Sequence, residues 1–201
     1  MSLKELLLDE ETPLSAVAEY LDGLTPEARL EEVMSCNKKQ QVAMYEKAAA
    51  AAPITFDHFV PPGIAPLTEV IHHGRNTLPA FKFFQKRFCR PDDGTDRLFG
   101  YNEGSTRALI GPGFFVAIKT DDNPEWYERG PVVVDYFQVP DGPVVEGWPK
   151  VVPNNKGLQV LVYNKTRDFM RKVSEHVSIS AAYKVEKSMG AFFVLCREDA
   201  E

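Results

Sequence analysis

The residues best suited to chemistry are scattered along the chain. Histidines stand at 58, 72, 73 and 176. His72 and His73 are adjacent, so on a strand they point to opposite faces and cannot chelate one ion together. A metal site would need distant partners, such as His58 or His176 with a carboxylate, and the expectation is no metal and no cofactor. His72, His73 and His176 are candidates for a base or hydrogen-bonding role in a ligand site, set against the plainer reading of surface or structural histidines.

Asp135 is the most informative acid. In a predicted strand from Pro131 to Val139 it shares a face with Val133, Phe137 and Val139, while Val132, Val134, Tyr136 and Gln138 face the other way. A carboxylate among apolar neighbours costs free energy unless it is paired, hydrogen-bonded or neutral. Convergence with Arg87 or a histidine would make either a dry structural cluster or the polar end of a pocket. Cys89 lies among Lys86, Arg87 and Arg90, a setting that can activate a thiol, although a buried inert cysteine behind Phe88 fits as well. Lys82, Lys86 and Arg90 form a basic stripe beside Phe83 and Phe84, but the chain carries a net charge of −6, which speaks against nucleic acid.

Familiar catalytic signatures are missing. The sequence has no GxSxG, no HExxH, no Walker A loop and no GxGxxG after a strand, and Gly111-Pro112-Gly113 is too short to cradle phosphate. Cys36, Cys89 and Cys196 are odd in number and far apart, which reads as free thiols in a reducing compartment. The apolar run at Leu6-Leu7-Leu8 is too short for a signal peptide and no stretch is long enough to span a membrane, so a cytoplasmic protein without membrane contact is expected.

The elements that must position these residues change character along the chain. Residues 1–52 read as helices. Ser2 and Glu5 make a capping box, Thr12-Pro13 and Thr25-Pro26 pair a capping hydroxyl with a first-turn proline, and Pro53 stops a helix begun near Lys38. This third is acidic, with a net charge of −7 over residues 1–35, against +5 over residues 75–90. Residues 53–66, with Phe56, Phe59 and Val60, read as an ordered connecting strap.

From 67 to 201 the period becomes two and an antiparallel body is predicted. Its strands are Phe114–Lys119, Pro131–Val139, Leu158–Tyr163, His176–Val185 and Ala191–Arg197, with weaker ones at Val70–His73 and Arg97–Asn102. The last two main strands meet in a turn around Lys187–Gly190. Two inserted helices are expected, at Leu78–Phe88 from the spacing of Leu78, Phe81, Phe84 and Phe88, although this segment also alternates tolerably as a strand, and at Thr166–Ser174 from Phe169, Met170 and Val173. Long loops at 120–130 and 140–156 hold Trp126 and Trp148.

The fold class is therefore α+β, a helical N-terminal third packed on a curled, mainly antiparallel sheet or partial barrel. The expected function is binding of a small molecule in an apolar, aromatic-lined pocket of the sheet body, closed by the tryptophan loops. Its expected ligand residues are His72, His73, Arg87, Trp126, Asp135, Trp148 and His176. The rival is an interaction or assembly module, including a homo-oligomer, that acts through the acidic helical third.

Overall fold

The start signals of the first fifty residues act as local chemistry dictates. In the computed structural model, which describes residues 2–79 and 82–199, Ser2 caps α1 (Leu3–Leu8) and Glu5 reaches back 2.7 Å to the Ser2 N–H. Thr25 caps α3 (Pro26–Ser35), and α2 (Leu14–Asp22) ends at Gly23. Asn37 and Gln40 form a second capping box on α4 (Lys38–Lys47), which passes into a short 3-10 turn at Ala48–Ala50. The apolar stripes Leu3, Leu7, Val17, Leu21, Val33 and Met44 are buried against Val177, Ile179, Val194 and Cys196. These four lie on the outer wall of the sheet, so the helical third covers one side of the body.

Eight strands close the sheet into a barrel: β1 (Val70–Asn76), β2 (Phe83–Cys89), β3 (Leu98–Glu103), β4 (Phe115–Lys119), β5 (Val132–Asp135), β6 (Thr166–Lys172), β7 (Val177–Lys184) and β8 (Lys187–Arg197). Each is antiparallel to the next, and β1 pairs with β8 from His72–Arg197 to Asn76–Phe193. The expected partial barrel is thus a closed one, so none of its described strands is an edge strand. No described helix is long and apolar enough to cross a membrane.

Four predicted elements are corrected. The strand expected over Pro131–Val139 ends at Asp135, where Tyr136 and Phe137 form a turn. The segment Leu78–Phe88, read as a helix, forms β2 from Phe83 onward, while position 81 lies outside the described residues. Its phenylalanine spacing fits both periods, and pairing with β1 and β3 decides for the strand. Thr166–Ser174, also read as a helix, is β6 for the same reason. Leu158–Tyr163, read as a strand, holds the short helix α8 (Gln159–Val162) instead. The β7–β8 turn is Val185-Glu186, both with positive φ, as a two-residue hairpin requires, and residues 187–190 belong to β8.

The two barrel ends differ. The strap carries α5 (Phe56–Phe59), and Phe56, Phe59 and Val60 plug one end against Phe88, Leu98, Phe115 and Val132. Arg90 and Arg197 fasten this plug by donating to the carbonyls of Val60 and His58. At the other end, α6 (Arg107–Ile110) in the β3–β4 connection and α8 in the β5–β6 connection stand beside an open mouth.

Candidate functional site

Strand alternation turns Phe84, Lys86 and Phe88 of β2 into the barrel and sends Gln85, Arg87 and Cys89 outward. The same rule brings Asn102 of β3, Tyr136 just after β5, and Asp168 of β6 inward. Their side chains converge. Lys86 Nζ lies 3.2 Å from Asp168 Oδ2 and 3.1 Å from Asn102 Oδ1, and it donates to the Tyr136 hydroxyl. Lys86 and Asp168 are 1% and 5% exposed, so this ion pair is out of bulk water. The rings of Phe115, Tyr136 and Phe193 surround the ammonium at 4.8 to 4.9 Å, a cation–π cage that offsets part of its lost hydration.

Neighbouring residues hold the cluster in place. Asn102 Nδ2 donates to the Gly113 carbonyl at 2.9 Å and stands 3.1 Å from the Tyr136 hydroxyl. Tyr163 stacks on Tyr136, with centroids 5.3 Å apart. Gly113, at φ +53°, makes that stacking possible, since a Cβ there would lie 2.5 Å from the Tyr163 ring. Asn154 ties the chain on either side by donating to the carbonyls of Phe114 and Tyr136.

Burial sets the electrostatics. Desolvation pushes the Lys86 ammonium below its ordinary pKa and the Asp168 carboxyl above its own, with their mutual attraction opposing both shifts. Tyr136 is raised well above the usual phenol range, again chiefly by burial, and Tyr163 is pushed up to about 12. Above the cluster lies an open cavity of about 130 Å³, lined by Phe84, Lys86, Tyr136, Tyr163, Asp168 and Phe193, with Arg107 and Ile110 of α6 and Val162 of α8 also in its lining. Arg107 stands at the mouth, its Nε 2.7 Å from Glu103 Oε1. Leu78, Phe83 and Met189, which also line the cavity, are exposed, beside the polar Asn76, Thr106 and Arg107.

None of the residues expected to bind a ligand lines this cavity. His72 is inside the barrel but at the plugged end, where its Nε2 lies 2.9 Å from the Phe59 carbonyl and burial lowers its pKa to about 3. His73 is outside, 2.6 Å from Glu198, and His176 lies 2.9 Å from Asp199. Arg87 and Trp148 do meet, on the outer wall, where both contact Glu69 at 3.0 and 2.5 Å. Asp135 is buried but faces outward. It accepts from the Phe137 N–H at 2.9 Å and lies 3.4 Å from Arg167 Nε, and the Arg167 guanidinium carbon stands 4.3 Å over the Trp126 ring. The foreseen meeting of Asp135 with Arg87 or a histidine does not occur.

Both tryptophans pack on the outer wall, Trp126 against Phe169 and Trp148 against Tyr101, so their loops do not close the mouth. Cys89 is buried and its thiol is pushed up to about 12 by desolvation, which removes the activated-thiol setting.

Sequence reasoning missed Lys86, Asn102, Tyr136 and Asp168. Helical spacing over Leu78–Phe88 places Lys86 on the polar face, and Asp168 falls within the other expected helix. The available signal was a lysine alternating with Phe84 and Phe88, which in a strand must share their inward face. Among the described residues, no group of histidine, cysteine and carboxylate side chains is arranged to hold a metal ion. No protein-family model, curated protein or solved structure matches the chain.

Proposed function

We propose that the barrel binds a small, mostly apolar molecule whose polar group meets Lys86, Asp168, Tyr136 and Asn102. The observation that carries this reading is a charged pair buried at the floor of an open cavity. A buried ion pair is weak as a stabilising device, because desolvation offsets much of its attraction, and apolar residues of similar size commonly do as well. Its position beside empty, aromatic-lined space favours recognition over stability. The cavity is close in size to those that admit a benzene-sized body, and the exposed Leu78, Phe83 and Met189 in its lining suit an apolar visitor.

The test is a titration with benzyl alcohol, followed by ligand-detected NMR. A ligand of that size should bind with a Kd of roughly 1 mM or somewhat tighter. Ala182→Phe, which fills the cavity from β7, should weaken binding about ten-fold or more while the protein remains folded. Binding unaffected by this substitution, or no binding at all, would refute the reading.

A further inference from the structure

We propose that Lys86 forms a Schiff base with a small aldehyde or ketone, so that the molecules taken up by the barrel are apolar carbonyl compounds. The inference rests on the cavity being a binding site and names the ligand's reactive group. Lys86 is the one lysine among the described residues that lines the cavity, and strand alternation places it between Phe84 and Phe88 on the inner face of β2. An anionic ligand is disfavoured here, because Asp168 already balances the ammonium charge at 3.2 Å and a further carboxylate would leave an unpaired charge in an apolar space. A cationic ligand meets the same objection in reverse. A neutral carbonyl disturbs no charge balance.

The surrounding groups match the steps of imine formation. The ammonium first passes a proton to Asp168, which converts a buried ion pair into a buried neutral pair, the direction in which burial drives both groups. The free amine adds its lone pair to the carbonyl carbon, which forms the C–N bond as the C=O π pair moves to oxygen. That oxygen takes the proton from Asp168 and nitrogen returns one of its own to the Asp168 carboxylate, which gives the neutral carbinolamine and a protonated Asp168. Expulsion of the hydroxyl, protonated by Asp168, then releases water and leaves a C=N⁺ iminium opposite the Asp168 carboxylate. Overall, ammonium and carbonyl become iminium and water, with charge conserved and no oxidant or reductant needed. The cage of Phe115, Tyr136 and Phe193 that faces the ammonium at 4.8 to 4.9 Å faces the iminium equally, and the open mouth lets water leave.

The experiment uses the intact protein, benzaldehyde and cyanoborohydride at neutral pH, with proteolysis and mass mapping of every lysine. Lys86 should take the reduced adduct at least about ten-fold faster than surface lysines such as Lys82 and Lys187. Asp168→Asn should slow its labelling by about a hundred-fold. The comparison among lysines of one wild-type chain stands even if that variant does not fold. Labelling of Lys86 no faster than that of the surface lysines overturns the inference. If benzyl alcohol still binds in that case, only the Schiff base falls; if it does not, the cavity reading falls as well.

Discussion

Replacing Lys86 by methionine strands Asp168 inside the barrel, and the cost follows from what the acid must then do. Methionine keeps most of the lysine stem, so the packing loss is small. The carboxylate, however, loses the cation 3.2 Å away in a site where it is 5% exposed. It escapes by taking a proton. For a group with an ordinary pKa of 3.8, neutralisation at pH 7 costs about 4 kcal/mol, at about 1.4 kcal/mol per pH unit. That agrees with the ~3–5 kcal/mol typical when one partner of a buried pair is removed.

The sign with pH is fixed. In the variant the folded carboxyl, its pKa raised, holds a proton that the unfolded chain has released above pH 3.8, so folding takes up a proton and stability gains as pH falls. The deficit relative to the wild type should therefore shrink from pH 7 to pH 5, by up to about 1.4 kcal/mol per unit. Other titrating groups act on both proteins alike and cancel in the difference. Urea unfolding at pH 7, 6 and 5, followed by the fluorescence of Trp126 and Trp148, measures it. The double variant Lys86→Met/Asp168→Leu should recover most of the loss. A deficit below about 1 kcal/mol that does not change with pH would mean that Asp168 stays hydrated, and would refute the dry-floor argument.

Two further outcomes are expected. His58 and His72 are buried neutral at the plugged end, with His72 held down to about pKa 3, so stability is complete above about pH 6.5 and is lost as pH falls below it, by up to about 1.4 kcal/mol per unit for each ring. Urea midpoints at pH 7 and pH 5 should show this loss, less steep in His58→Phe; equal midpoints in the wild type would contradict it. Asp135→Ala should cost about 1–3 kcal/mol, because it removes the acceptor of the Phe137 N–H while Arg167 keeps Glu186 at 2.6 Å. The same variant should bind benzyl alcohol as the wild type does, and a large loss of binding would place Asp135 in the site after all.

Several features of the fold are settled by neighbouring residues among themselves. The capping boxes of α1 and α4, the Thr25-Pro26 start of α3 and the alternation of β4, β5 and β7 need only groups a few positions apart. The change from helical to two-residue period near position 67 is legible for the same reason. Tertiary structure decided the rest. Residues 83–88 and 166–172 carry apolar spacing that fits either period, and only hydrogen bonding to flanking strands makes them β2 and β6. On β5 both faces are apolar, so alternation separates Asp135 from Tyr136 without saying which is inside. That was settled by barrel closure, with α7 (Pro124–Arg129) covering the outer face through Trp126. Lys86 and Asp168 meet across a barrel interior that exists only once β1 has paired with β8, so no short-range feature of the chain encodes their contact.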